Sequence, residues 1–218
     1  MSQGAKPASQ ARSRQTRDKL VTALERLLQE RDFDSISISD LASEAGLAVG
    51  TVYRRFENKD AFIPVIFELY RTRLDARMAS PEGQAVLEPG AGLKAGLRQI
   101  VGNAWAFIQT DGHLIRAAHL YARLRPDLVG EDWSDLLDQS IEGARRMIES
   151  FPDEIRVSDK DIAAQIFIYL LNPLPVEKGL YGDDGVGAAL NMDDETFLAA
   201  LVDTMYGYLT TPSEPAAE

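Results

Sequence analysis

The chain has 218 residues, 45% of them hydrophobic and 26% charged, with a net charge of −11 and no cysteine. That length is enough to bury a sizeable core in one large domain or two small ones. The missing thiols exclude a disulfide scaffold, a cysteine-based zinc ribbon and a thiol nucleophile, and the absence of a membrane-length apolar run excludes a spanning helix.

Residues 1–15 are small, polar and basic without periodicity, and read as a disordered basic arm. They lack the apolar middle of a secretory signal, so the expected location is cytoplasmic. From Thr16 an apolar stripe of Leu20, Leu24, Leu27 and Leu28 marks the first helix. Ser37 followed by Asp40 is a capping-box variant that opens a second helix, and Gly46 closes it, since glycine most easily takes the left-handed conformation past a helix end. A third helix runs from Val49 to Phe56. Asn58 caps a fourth that carries Phe62, Val65, Ile66, Leu69, Tyr70 and Leu74 to about Ala79, with Pro64 as a possible bend.

Pro81, Gly83, Pro89 and Gly90 make 80–92 a linker. Further helices are expected over 93–110, 112–124, 134–151, 158–171 and 194–209, with Asp111, Ser158 and Asp193 as N-caps. Between them, 172–192 reads as a long loop rich in proline and glycine, and 211–218 as a disordered tail. The fold class is therefore all-α, with a three-helix head at 16–60 and a larger helical body at 61–210.

The head carries the most informative segment, Ser37 to Phe56. Two short helices meet at Gly46-Leu47-Ala48, with Ala42 and Ala45 small enough for close crossing and Ile38, Leu41, Leu47, Val52 and Phe56 facing inward. The outer face of the second helix is left with Val49, Gly50, Thr51, Tyr53, Arg54 and Arg55, donors suited to phosphates and base edges, on a helix of a size that fits the major groove. Lys59 adds a cation beside that face. Tyr53 reads as a phosphate contact rather than a packing aromatic, because Val52 and Phe56 already fill the inward side. Charge distribution agrees: residues 1–60 hold ten basic and nine acidic residues, so the excess acidity lies in the body.

The string Gly46-Leu-Ala-Val-Gly-Thr-Val-Tyr-Arg-Arg-Phe-Glu-Asn-Lys59 resembles the helix-turn-helix of the tetracycline-repressor (TetR) family, and the resemblance spans about Thr16 to Phe62. It implies a transcriptional repressor in which Tyr53 and Lys59 grip phosphates, Val49, Gly50 and Thr51 approach bases, and Ser37 holds a phosphate at the second helix. Two positions depart from the pattern. Ala48 stands where a hydroxyl residue often caps the recognition helix, and Arg55 stands where His or Tyr is common and adds a phosphate contact. The resemblance also implies a homodimer paired through 158–171 and 194–209 in an intermolecular four-helix bundle.

Trp105, Phe107, His113, His119, Tyr121, Met147 and Phe167 are each ordinary core residues taken singly; as a group they outline an apolar cavity for a small-molecule effector. The two histidines lie six apart, which does not put them on one helix face, so no metal site is expected. No catalytic constellation and no cofactor motif is present, so the chain does not read as an enzyme. The expected partners are an operator duplex, a second copy of the chain and an unidentified effector. An activator on the same fold, or a helical binding protein or enzyme whose head does not read DNA, are the alternatives.

Overall fold

The computed structural model describes residues 5–81, 83, 90–181 and 191–212. Among these every regular element is helical: α1 (Ala5–Glu30), α2 (Ile38–Glu44), α3 (Val49–Tyr53), α4 (Ile63–Ala79), α5 (Leu93–Leu124), α6 (Pro126–Glu149), α7 (Lys160–Leu171), α8 (Pro173–Leu180) and α9 (Asp194–Thr210). Short 3-10 turns at Phe33–Ser35 and Lys59–Phe62 join α1 to α2 and α3 to α4. No described helix is long and apolar enough to cross a membrane.

The chain forms two compact units. The first is Met1–Arg73 together with His113–Gly130, and the second is Leu74–Gly112 together with Glu131–Glu218. This division departs from a boundary near residue 60. The reason is visible in the first unit, where Tyr121 stands edge-on to Phe33 at 5.3 Å and His119 edge-on to Tyr70 at 5.8 Å. The end of α5 thus belongs to the core of the head, a long-range partnership that no local pattern announces.

In the first unit the α1 stripe of Leu20, Leu24, Leu27 and Leu28 is buried, as are Leu41, Val52, Phe62 and Ile66. Phe56 and Phe62 stack at 3.9 Å. Helix α1 begins at Ala5, so the arm expected over 1–15 is helical from that residue. Gln10 to Gln15 are exposed, which explains why no apolar period marked them, while Ala11, Arg12, Arg14 and Gln15 are all good helix formers. Pro64 falls in the first turn of α4, where no backbone donor is needed.

In the second unit Leu93, Leu97, Val101, Ala144, Ile148, Ala163, Ala164, Phe167, Leu201, Met205 and Leu209 form one core. Glu154 accepts a 2.6 Å bond from the Leu93 amide at the start of α5. The helices predicted over 93–110 and 112–124 are one helix, broken locally at Asp111 (φ −117°, ψ 20°) rather than capped by it. Helix α6 starts at Pro126, well before 134, with proline in the position where its missing N–H is harmless. Asp159, not Ser158, caps α7, accepting from the amides of Asp161 and Ile162, whereas Asp193 caps α9 as expected. The loop expected over 172–192 contains α8. Its prolines, read as breakers, sit in the first turn of a helix. Helix α8 packs closely on α5: a Cβ added at Gly179 would lie 2.7 Å from Ile108, and one at Gly112 would lie 2.6 Å from Leu180. Residues 182–190 of that loop, 213–218 of the tail, and 82 and 84–89 of the linker lie outside the described residues.

Candidate nucleic-acid interface

Helix α2 is opened by Ser37, whose Oγ accepts from the Asp40 amide at 3.1 Å, while the Ser37 amide donates to Asp40 Oδ2 at 2.8 Å. These bonds hold the Asp40 carboxyl below its usual range, with the neighbouring Arg31 guanidinium adding to the effect. The Ser37 hydroxyl also donates to Asp40 Oδ2 at 2.8 Å. Both donors of Ser37 are therefore committed to the cap, and a phosphate contact is left with no free hydrogen from this residue.

The helix closes on Gly46 at φ +63°. The Leu47 amide donates to the Ala42 carbonyl at 2.8 Å and the Gly46 amide to Ser43 at 3.1 Å, the paired bonds of a Schellman turn. This turn sets the angle at which α3 leaves α2. Ala48 offers α3 no side-chain cap, as its methyl group requires.

Helix α3 buries Val52 completely and turns its other side outward. Tyr53 is 54% exposed and Val49 41%. A Cβ at Gly50 would meet no protein atom within 4 Å, so packing does not require the glycine. Arg54 is exposed and donates to Thr51 Oγ1 at 2.9 Å, which braces both on the outer face. Arg55 behaves differently. Its guanidinium donates to the Ser13 carbonyl and, at 2.5 Å, to Ser13 Oγ, tying the end of the recognition segment to α1.

Lys59 is half-buried beside this face. Its ammonium donates to the Asp34 carbonyl at 2.8 Å and lies 4.8 Å from the centre of the Phe33 ring. Asn58 caps the turn that carries it, accepting from the Ala61 amide at 3.1 Å.

The expected effector-pocket residues are shared between the two units. His113, His119 and Tyr121 belong to the first unit, while Trp105, Phe107, Met147 and Phe167 belong to the second. Tyr121 is buried against Phe33 with its hydroxyl donating to Asp34 Oδ1 at 2.5 Å, so it is a structural anchor of the head. Burial, aided by Arg123, pushes the His119 imidazole down to about 4. In the second unit Phe167 lies in the core, Met147 packs against it, Phe107 is buried and Trp105 is half-buried against Phe197. An open depression of about 360 Å³, lined by Val157, Gly207, Tyr208, Thr211 and Pro212, contains none of them. Among the described residues no group of His, Asp and Glu could hold a metal ion.

The profile described as "Bacterial regulatory proteins, tetR family" matches residues 20–64, which spans the segment just described. The head of the chain is similar to the DNA-binding segment of the TetR family. This head is 41% identical over 51 residues to YvdT, an HTH-type transcriptional regulator of Bacillus subtilis strain 168, a match covering 23% of this chain and 26% of YvdT. The matched part is thus about a quarter of that relative's length. Solved structures resemble the fold over most of the chain. Salmonella enterica GusR has a TM-score of 0.60 at 21% identity, covering 90% of this chain and 96% of GusR. A transcriptional regulator from Rhodococcus sp. RHA1 has a TM-score of 0.62 at 18% identity, covering 88% and 94%. In this head the residues that sequence reasoning missed are Asp34, Asp60 and Arg125. The Arg125 guanidinium pairs with Asp60 beside Lys59, and only the chain's return into the head makes these residues neighbours.

Proposed function

We propose that the chain is a DNA-binding transcription regulator that acts as a homodimeric repressor and leaves its operator when a small molecule binds. The observation that carries this reading is the outer face of α3, where Val49, Gly50 and Tyr53 are exposed without a packing reason. Phosphates would be gripped by Tyr53, Arg54 and Lys59, and bases approached by Val49, Gly50 and Thr51. Ser37 is assigned to capping instead, because its donors are already engaged, and Arg55 braces Ser13 through Nη2.

Dimerisation is supported by a stripe on α7: Ile162, Ile166 and Tyr169 recur at helical spacing and are 53%, 39% and 70% exposed. Pairing of α7 and α9 with their copies would cover it. A two-fold dimer reads a pseudo-palindromic site with half-sites a helical turn or more apart. An effector releases DNA only by binding the two states unequally. Trp105, Phe107, Met147 and Phe167 are the residues of the second unit nearest in kind to an apolar ligand. Such a regulator works where the DNA is, in the cytoplasm.

The test is in vitro selection of genomic fragments by the purified chain, followed by fluorescence anisotropy on the selected duplex at several salt concentrations. Specific binding that weakens steeply with salt is expected. Recovery of no sequence, with no salt-dependent binding, overturns the proposal.

A further inference from the structure

We infer that Tyr121 is a positioning residue for Lys59, setting through Asp34 and Phe33 the place from which the Lys59 ammonium reaches a DNA phosphate. The inference rests on the DNA-binding reading above and concerns only the first unit.

Asp34 sits on the turn between α1 and α2 and serves two partners at once. Its side-chain Oδ1 accepts from the Tyr121 hydroxyl at 2.5 Å, and its backbone carbonyl accepts from Lys59 Nζ at 2.8 Å. Phe33, the preceding residue, is shared in the same way. Tyr121 stands edge-on to its ring, at 87° between planes, and Lys59 Nζ lies 4.8 Å from its centre. Two consecutive residues therefore connect Tyr121 with Lys59 by two routes. The same stretch of α5 and its extension holds the surroundings of Lys59 as well. Arg125 pairs with Asp60, the next residue after Lys59, and Arg116 lies 3.7 Å from Asp32.

A tyrosine that only filled the core would need its ring and not its hydroxyl. Tyr121 is 6% exposed, and its hydroxyl spends its proton on a carboxylate, a charge-assisted bond of the stronger kind. Burial first, and the Asp34 carboxylate second, push the phenol upward, so it keeps that proton throughout the physiological range. The bond has an electrostatic consequence. An ammonium prefers a carboxylate to a carbonyl, and the Asp34 carboxylate belongs to the residue whose carbonyl Lys59 already touches. Tyr121 engages Oδ1 and holds that carboxylate in place, while Lys59 stays on the weaker acceptor, with two of its three N–H donors available to a phosphate. Without the hydroxyl, Lys59 closes onto Asp34 and is lost to DNA.

The test uses the full chain and the duplex selected as above. Wild type, Tyr121→Phe, Lys59→Ala, the double variant, and Tyr121→Phe with Asp34→Asn are titrated across a salt series, with thermal melting as the check on folding. Tyr121→Phe is expected to weaken binding by about three- to tenfold and to lower the salt slope by about 0.9 per protomer, as Lys59→Ala does. The double variant should be no weaker than Lys59→Ala alone, and Asp34→Asn should restore Tyr121→Phe, because it removes the competing carboxylate. Losses that add in the double variant, or Tyr121→Phe binding like wild type, overturn the inference and leave the DNA reading intact. If wild type itself shows no salt-dependent binding, the DNA reading fails and takes the inference with it. If Tyr121→Phe does not fold, Asp34→Asn alone decides: affinity and slope at least equal to wild type support the inference, and a loss like that of Lys59→Ala overturns it.

Discussion

Arg55, at the end of the recognition segment, donates from its guanidinium to the carbonyl and hydroxyl of Ser13, a residue 42 positions earlier on α1. The contact makes Arg55 an internal brace. Arg55→Ala is expected to weaken operator binding by less than about fivefold, the range of a partly exposed polar pair, and to leave the salt dependence unchanged. It should also speed hydrogen exchange at the amides around Ser13. A drop in salt slope comparable to that of Lys59→Ala would return Arg55 to the phosphates.

Gly46 closes α2 at φ +63°, and an added Cβ meets no atom within 4 Å. The penalty for alanine is therefore backbone strain alone, about 1–2 kcal/mol. Gly46→Ala should lower the melting temperature by about 2–4 °C or somewhat more in a chain of this size. Gly46→Asn should lose clearly less, since asparagine visits the left-handed region. Equal losses for the two variants would show that something other than the dihedral fixes this turn.

His119 has its imidazole pushed down to about 4 by burial and by Arg123. The native state therefore binds fewer protons than the unfolded chain below the ordinary histidine range, and stability falls as pH drops. The loss begins near pH 6.5, grows down to about pH 4 and then levels off, approaching about 3 kcal/mol for a shift of this size. Melting curves of wild type and His119→Phe across this window check it. The variant should lose its slope there if the ring packing against Tyr70 survives. An unchanged slope would assign the acid sensitivity elsewhere.

Ile166 lies in the middle of the exposed apolar stripe of α7 and is 39% exposed. Sedimentation of wild type should give twice the chain mass, and Ile166→Glu should give the monomer, because a charge placed in a closing apolar seam is buried unpaired. Operator affinity should fall with it, since one half-site then binds alone. A wild-type monomer, or a dimer unaffected by the substitution, would move the pairing surface.

The helix-turn-helix was legible because its signals are local. The Ser37 cap, the Gly46 stop and the Asn58 cap each act within four residues, and each appears as read. The uncapped start of α3 at Ala48 was legible for the same reason. The errors arose where the deciding partner is distant. Pro173 and Pro175 looked like breakers because a proline's local effect depends on whether it opens a helix or interrupts one. The approach of Gly179 to Trp105 and Ile108 explains that stretch only once α8 lies on α5. Tyr121 and Phe167 look alike as isolated apolar positions, and only the fold assigns them to different units. The bond from Arg55 to Ser13 was not legible either, because Ser13 lies in a segment without periodicity.

The head is discontinuous in the chain: its first stretch ends at Arg73 and its second runs from His113 to Gly130. During synthesis on the ribosome the recognition helix emerges early, but Leu114, Ile115, Ala118 and Tyr121, all buried, arrive only later. At roughly 5–20 residues per second the nascent head waits several seconds for them. A polypeptide cut short before His113 therefore carries the DNA-reading sequence without its finished interior. Premature termination yields a fragment for proteases to clear, rather than a small competitor that sits on the operator.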